Sequence, residues 1–213
     1  DHPHVSISET VDEGGDDAIN LNSPSRGYFK HVRWSEGTDA PVLIVAYGSA
    51  PGVPNWGGLL KKLRRDLLLR GKNCAGGAGA EAAAAVDAAA AGYDVLYVAD
   101  TTRSWYHGEA RCTNDATERA WRERVTAVAG RYARVLNLGD SMGASAALLF
   151  ADAADHSLAF CPQVDLVSAS IRPGRSARWM RTFRGALVNA VDRAVSGPRR
   201  STVEIHSGTW QHD

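Results

Sequence analysis

The chain has 213 residues, 44% of them hydrophobic, and its 24 lysine and arginine residues balance 24 aspartate and glutamate residues. This length and apolar content allow one sizeable core, while the zero net charge gives no reason to expect a nucleic acid or an anionic membrane surface as a partner. No run of 18 apolar residues is present, so the sequence predicts no transmembrane helix.

The cysteine and histidine patterns do not indicate a metal site. The three cysteines, Cys74, Cys112 and Cys161, are odd in number and lack metal-ligand spacing, which favours reduced thiols and a cytoplasmic location. His2 and His4 have no cysteine or carboxylate cluster at ligand spacing beside them. Because the first residue is Asp1, we expect a piece of a larger polypeptide, with any targeting signal upstream.

The first elements follow a polar lead-in. Residues 1–27 are rich in Asp, Ser, Gly and Pro and predict an irregular segment, which leaves residues 28–213 as the folded domain. Residues 28–34 alternate between apolar and basic side chains, as an edge strand does. Residues 41–47, PVLIVAY, are continuously apolar and predict a central strand covered on both faces of a parallel sheet.

A helix and a glycine-rich stretch come next. Leucines recur on one face of residues 57–70, which predicts an amphipathic helix. The stretch 71–80, GKNCAGGAGA, begins a G-x-G-x-x-A string, but a helix rather than a strand precedes it. We therefore predict a flexible linker and no dinucleotide cofactor there. The alanine tract at 80–91 predicts a further helix.

Residues 94–100, DVLYVAD, predict a second buried strand, and an aromatic cluster follows in the next loop. Loops at the carboxyl ends of parallel strands line the ligand crevice, so Trp105, Tyr106 and His107 are candidates for a substrate-pocket wall. The alternative is an aromatic plug that holds the loop down. Residues 116–130 then predict an amphipathic helix that leads to the next strand.

The stretch 134–150, RVLNLGDSMGASAALLF, predicts a strand, a tight turn and a helix. Its centre matches the pattern G-x-S-x-G, in which a serine lies exposed on a strained turn and flanking glycines avoid collision. The free N–H groups at a helix N-terminus suit a developing oxyanion. We interpret Ser141 as a nucleophile, with the N–H groups of Met142 and of Ser49, in the loop after the first central strand, as oxyanion donors.

The remaining sequence completes an α/β pattern. Residues 157–160 and 201–207 predict strands, and residues 176–195 predict a helix between them. Strands that alternate with helices in this way predict a mainly parallel sheet with helices on both faces, a three-layer α/β fold.

Three blocks carry a resemblance to a little-characterised branch of the α/β-hydrolase superfamily, often found as a module in larger proteins, some of them linked to polysaccharide biosynthesis. They are Asp100 with Trp105-Tyr106-His107, the stretch GDSMGASAALLFADA, and Ala-Phe-Cys-Pro-Gln at 159–163. Ala144 and Cys161 depart from the glycine and serine of that branch, which affects substrate geometry rather than fold. The resemblance implies an α/β-hydrolase-like fold without its last strand and places Asp213 at the acid position of a catalytic triad.

The general base has no clear candidate in the sequence. His206 lies within the last predicted strand, His212 is adjacent to Asp213, and His156 follows the helix after Ser141. The base therefore lies beyond residue 213, comes from elsewhere in the chain, or is absent because the protein is not a hydrolase. On the first of these alternatives we expect the 213 residues alone to be very weakly active.

These observations predict a serine hydrolase of the esterase or deacylase type that acts on a small-molecule or carbohydrate ester without a cofactor or metal. The alternative is a non-catalytic, hydrolase-like module that binds a carbohydrate or protein partner within a larger protein. No sequence feature selects the acyl or alcohol part of a substrate.

Overall fold

The computed structural model describes residues 10–11, 27–34, 40–50, 52–74, 92–108, 114–167, 175–198 and 200–208. The predicted helix at 80–91, residues 75–80 of the predicted linker and almost all of the lead-in lie outside these ranges. Asp213, His212, His2 and His4 also lie outside them. No helix among the described residues is long and apolar enough to cross a membrane.

The described residues form one seven-stranded sheet in the order β1-β2-β4-β3-β5-β6-β7. Strands β3 to β7 are mutually parallel, whereas β2 is antiparallel to both β1 and β4. The mainly parallel sheet expected from the sequence is confirmed. The strands are β1 (Thr10–Val11), β2 (Tyr28–Arg33), β3 (Val42–Tyr47), β4 (Tyr93–Ala99), β5 (Arg134–Asp140), β6 (His156–Phe160) and β7 (Thr202–His206).

Helices cover both faces of the sheet and make three layers. One face packs against α2 (Asn114–Ala129), α3 (Met142–Leu149) and α4 (Ala177–Ser196), with Tyr47, Trp121 and Phe183 among the shared core side chains. The other face packs against α1 (Gly57–Cys74) through Leu60. The central strands are apolar on both faces because both faces are covered.

Two local expectations differ from the structure. Helix α1 continues through Cys74, so Gly71 to Cys74 are helical and not part of a linker. A glycine costs a helix only about 1 kcal/mol, which the packed amphipathic face outweighs. In the lead-in, Thr10 and Val11 pair with Val32 and Arg33 and add a short antiparallel strand at the sheet edge.

A buried carboxylate joins three segments at the amino end of the sheet. Asp94 is fully buried in β4, and its side chain accepts hydrogen bonds from the backbone N–H of Trp34 (2.9 Å), the N–H of Ala40 (3.3 Å) and the hydroxyl of Tyr132 (2.9 Å). These donors lie after β2, before β3 and before β5. Buried donors that lose their acceptor cannot recover the hydrogen bond from water, so this carboxylate fixes where the three strands begin and end.

We predict that Asp94→Ala destabilises the fold by about 2–4 kcal/mol, because three buried donors lose their acceptor. Urea unfolding followed by circular dichroism measures the free energy of unfolding. Asp66→Ala is the control, since Asp66 is partly exposed on α1 and pairs with the surface cations Lys62 and Arg65. That change should cost less than about 1 kcal/mol. Equal losses in the two variants would contradict the role given to Asp94.

Candidate active site

Ser141 lies on the turn between β5 and α3, at the carboxyl edge of the sheet. Its backbone has φ 51° and ψ −118°, a conformation that costs a non-glycine residue about 1–3 kcal/mol. The N–H of Ser141 donates to the carbonyl of Phe160 (2.9 Å), which ties the turn to the end of β6. Although Ser141 is the N-cap of α3, its hydroxyl makes no capping hydrogen bond. The side chain is therefore available for other chemistry.

The flanking glycines are required by backbone approach on both sides of this turn. A Cβ on Gly139 would lie 2.1 Å from the carbonyl oxygen of Gly143, and a Cβ on Gly143 would lie 2.3 Å from the carbonyl oxygen of Tyr47. Any side chain at either position would collide with backbone that cannot move away. The G-x-S-x-G spacing is thus explained by the packing of the turn against itself and against β3.

Helix α3 presents its N-terminus beside Ser141. Met142 is the first helical residue, and its side chain is buried in the core while its N–H lies at the start of the helix. The first N–H groups of a helix have no carbonyl one turn earlier to bond, and they carry the positive end of the helix dipole. This is the geometry in which the N–H of Met142 could bind an oxyanion.

The loop after β3 is tied to the turn through Asp140. The Ser49 hydroxyl hydrogen-bonds Asp140 Oδ1 (2.5 Å) and lies 2.8 Å from the Asp140 carbonyl oxygen. The amide of Asn55 donates to the same Oδ1 (2.7 Å) and contacts the Ser49 hydroxyl (3.3 Å). This set of contacts places Ser49 next to the residue that precedes Ser141. The loop named from the sequence as an oxyanion loop is therefore brought to the serine.

A second buried carboxylate shapes the loop after β4. Asp100 Oδ1 accepts from the N–H and hydroxyl of Thr102, and Oδ2 accepts from the N–H and hydroxyl of Ser104 and from the N–H of Tyr106. Arg103, Trp105 and Tyr106 all have positive φ near 55°. Such left-handed conformations are unfavourable for side chains of this size. The hydrogen bonds to Asp100 hold the loop in this conformation.

The aromatic cluster of this loop is buried. Trp105, Tyr106 and His107 are each no more than 3% exposed, and Tyr106 packs between Tyr47 and Trp121. His107 packs edge-on against aromatic rings of α4, and its Nδ1 lies 3.4 Å from Glu118 Oε2. The three side chains are therefore buried in the core, and their role at a substrate pocket stays a prediction.

Tyr106 connects the two loops. Its hydroxyl donates to the carbonyl of Gly48 (3.0 Å), the residue before Ser49, and also contacts the carbonyl of Val98 (3.2 Å). Burial raises the pKa of the Tyr106 hydroxyl well above its usual value, and the Asp100 carboxylate adds to this effect. The hydroxyl therefore stays protonated and remains a donor. Asp100 thus supports the loop containing Ser49 through Tyr106.

The segment after β6 is fixed to α3. The Ser145 hydroxyl accepts a hydrogen bond from the N–H of Gln163 and donates one to the Gln163 carbonyl, both at 3.0 Å. Cys161 is exposed with φ 52°, and its N–H donates to the carbonyl of His206 (2.6 Å). The block at 159–163 is therefore adjacent to the serine turn, and Cys161 lies at this edge.

The four described histidines are dispersed. His31 bonds the Tyr132 hydroxyl (2.7 Å), and His156, at the start of β6, pairs with Glu204 (2.8 Å) near the amino edge. His107 is in the core. His206 ends β7 at the carboxyl edge, where its ring stacks on Phe160 with ring centroids 4.9 Å apart. Within the described residues none of them hydrogen-bonds to Ser141, and no cluster of three metal-ligating side chains is formed.

Sequence reasoning missed the roles of Asp140, Asn55 and Asp100. Asp140 appeared only as the variable residue of the motif, and Asp100 only as part of a resemblance. A usable signal for Asp100 was present, because an aspartate at a strand end followed by Thr and Ser favours side-chain-to-backbone turns. The convergence of Asn55 on Asp140 has no local signal, since the two residues are 85 positions apart.

The architecture combines two features. A mainly parallel sheet has helices on both faces, and a serine occupies a strained strand-to-helix turn at the carboxyl end of a central strand. This is the arrangement of α/β-hydrolases. The fold is α/β-hydrolase-like.

Solved structures of similar backbone shape are found at low identity. S-formylglutathione hydrolase (FrmB) from Staphylococcus aureus is 10% identical, with 85% of this chain and 73% of that chain covered and a TM-score of 0.46. Acetyl xylan esterase 1 from Thermoanaerobacterium sp. JW/SL YS485 is 12% identical, with 86% and 72% covered and a TM-score of 0.48. An esterase from Pyrobaculum calidifontis is 13% identical, with 98% and 78% covered and a TM-score of 0.42.

No family model and no curated protein matches the chain.

We predict that Asp100→Asn increases local opening of residues 100–108 without unfolding the sheet. A side-chain NH₂ then replaces one oxygen that accepts hydrogen bonds from buried donors. Hydrogen exchange followed by mass spectrometry should show amides of this segment exchanging about tenfold faster or more, which corresponds to about 1.4 kcal/mol.

The matched control is Asp165→Asn. Asp165 also follows a parallel strand and accepts from a nearby N–H, that of Val167, but it is partly exposed. Unchanged exchange in residues 100–108 of Asp100→Asn would show that the loop is held by its aromatic packing alone.

Proposed function

We propose that this protein is a serine hydrolase of the esterase or deacylase type, with Ser141 as its nucleophile. The observation that carries the proposal is the strained turn of Ser141, which holds an uncapped hydroxyl at the carboxyl edge of the central sheet. A fold stores backbone strain of about 1–3 kcal/mol where surrounding structure over-determines it, and such positions cluster at active sites. The two close backbone approaches at Gly139 and Gly143 provide that constraint.

In the proposed reaction, Ser141 Oγ attacks the acyl carbon of an ester while a general base removes its proton. The carbonyl oxygen becomes an oxyanion that accepts hydrogen bonds from the N–H groups of Met142 and Ser49. Collapse of the tetrahedral intermediate releases the alcohol, which takes the proton from the base. Water then attacks the acyl-serine while the same base accepts its proton. Collapse of this second tetrahedral intermediate releases the carboxylic acid, and the base returns the proton to Ser141 Oγ.

We assign Trp105, Tyr106 and His107 a supporting role at the substrate pocket. Because they are buried, they do not stack on a ligand. The loop that they anchor is joined to the loop of Ser49 by the hydrogen bond from the Tyr106 hydroxyl to the Gly48 carbonyl. They would fix the wall of the pocket from behind. The substrate class that we propose is a small-molecule or carbohydrate ester.

The general base needs a histidine at the same edge as Ser141. Among the described residues, His206 is at this edge and outside the core, one strand beyond Phe160, whose carbonyl accepts the N–H of Ser141. We therefore propose His206 as the base within the described chain. Asp213 keeps the proposed role of orienting acid on the resemblance alone.

One observation favours a second function. No described histidine is hydrogen-bonded to Ser141, as expected for a hydrolase-like module that binds a carbohydrate or protein partner without catalysis. A chain of this kind keeps the fold and the turn but does not activate the serine.

We predict that a fluorophosphonate probe labels native Ser141, because an adjacent base makes such a serine far more nucleophilic than an ordinary hydroxyl. Mass spectrometry of the labelled peptide identifies the site. Ser141→Ala should abolish labelling and lower kcat for a short-chain ester by about 10⁴ or more. The control is Ser196→Ala, at the exposed end of α4. Its Ser141 should be labelled to the same extent as in the native chain. Absence of labelling in the native chain would favour the binding module.

We predict that His206→Gln lowers kcat by about 10²–10⁴, the range that a general base contributes. His156→Gln is the matched control, because His156 also contacts Glu204 but lies at the opposite end of the strands. It should retain native kcat. If both variants match the native chain while Ser141→Ala is inactive, another histidine supplies the base and the assignment of His206 is wrong.

A further inference from the structure

The residue immediately before Ser141 brings a negative charge to the candidate site. Asp140 is partly exposed, and its Oδ1 accepts hydrogen bonds from the Ser49 hydroxyl and the Asn55 amide. Both donors are neutral. They orient the carboxylate toward the loop of Ser49 without neutralising it.

In the described segments around Asp140, no cation pairs with its carboxylate. The described residues 48–50 and 52–56, after β3, contain no charged side chain. After β6, residues 161–167 contain one, Asp165, which pairs with Arg184 at 3.8 Å. After β4, Asp100 is buried and hydrogen-bonded within its own loop, and Arg103 is exposed. Within the part of the chain that the structure describes, no ion pair to Asp140 is formed.

A carboxylate without an ion-pair partner at this position affects which substrate charge the site prefers. Consecutive Cα atoms are about 3.8 Å apart, so the charge is within several ångströms of a group bound at Ser141. It repels the oxyanion of a neutral or anionic substrate and attracts a positive charge on the substrate. A cationic group therefore offsets the unfavourable field during the reaction, when the negative charge on the substrate is greatest.

We propose that Asp140 makes the Ser141 site selective for esters or amides that carry an ammonium group near the scissile bond. This inference rests on the proposed hydrolase function and names the substrate class of that site. For a carboxylate and an ammonium about 6–8 Å apart at a half-exposed site, Coulomb's law gives a preference of about three- to tenfold in kcat/KM over a neutral substrate of the same shape.

The test compares two esters of equal shape and different charge. Acetylcholine carries a trimethylammonium group, and 3,3-dimethylbutyl acetate has a neutral tert-butyl group in the same place. The native chain should prefer acetylcholine about three- to tenfold in kcat/KM, and this preference should decrease as salt is added, because exposed charges are screened. Asp140→Asn should bring the ratio to about one, since asparagine keeps an Oδ1 acceptor for Ser49 and Asn55 but removes the charge.

The control is Asp192→Asn, which changes the net charge equally. Asp192 is exposed near the end of α4, and that end is at the amino edge of the sheet because the N–H of Ser201, just before β7, donates to the carbonyl of Ala194. The ratio of kcat/KM for the two esters should be the same in Asp192→Asn as in the native chain. Equal ratios in the native chain and Asp140→Asn would overturn the inference, even if both are active.

A binding measurement separates this inference from the proposed function. In the Ser141→Ala background, choline and 3,3-dimethylbutanol are titrated by NMR, with and without Asp140→Asn. Choline should bind about three- to tenfold more tightly, and Asp140→Asn should remove the difference. Equal affinities overturn the inference whether or not the native chain hydrolyses esters. Selective choline binding by a chain that no fluorophosphonate labels would support the preference of Asp140 for an ammonium group and reject the hydrolase.

Discussion

The close approach of the serine turn to the end of β3 is the constraint on which the candidate site depends. The backbone of Gly143 is so near the carbonyl of Tyr47 that a methyl group at this position has no room. On the same turn, Ser141 has a positive φ of 51°. The contact between Gly143 and Tyr47 places the end of β3, where the loop of Ser49 begins, directly against the helix N-terminus. This contact helps to position the proposed nucleophile and the proposed donor Met142, while the bonds to Asp140 hold Ser49 beside them.

Buried carboxylates at the two ends of β4 do complementary work. Asp94 binds donors from three segments at the amino edge, whereas Asp100 binds donors from its own following loop at the carboxyl edge. The first joins distant parts of the chain, and the second stabilises a local conformation that the backbone would otherwise avoid. A buried charge is tolerated in each case because several hydrogen bonds replace its hydration. Polar side chains in this core thus determine loop geometry at the ends of the strands.

The sequence predicted elements whose signal is local. Continuous apolar runs located β3, β4 and β5 to within about two residues, the usual uncertainty of element ends. The glycines around Ser141 likewise revealed the turn, because close backbone approach leaves few alternatives to glycine. The extension of α1 to Cys74 was missed since packing outweighs a glycine's weak helix propensity. The burial of Trp105 and the convergence of Asn55 on Asp140 depend on how distant loops meet, and no local pattern encodes that.

The strand order has a consequence for how the chain folds. Strand β3 follows β2 in sequence, yet its partners on the two sides are β4 and β5, which come later in the chain. Parallel pairing of strands that are distant in sequence requires long loops to close before any stabilising contact forms. The entropy cost of closing these loops makes the pairing slow. The backbone strain at Ser141 is held only when β3 and β5 are already paired. We therefore expect the turn of Ser141 to form late in folding, and a partly folded chain with β3 exposed would carry an aggregation-prone apolar strand before this turn is assembled.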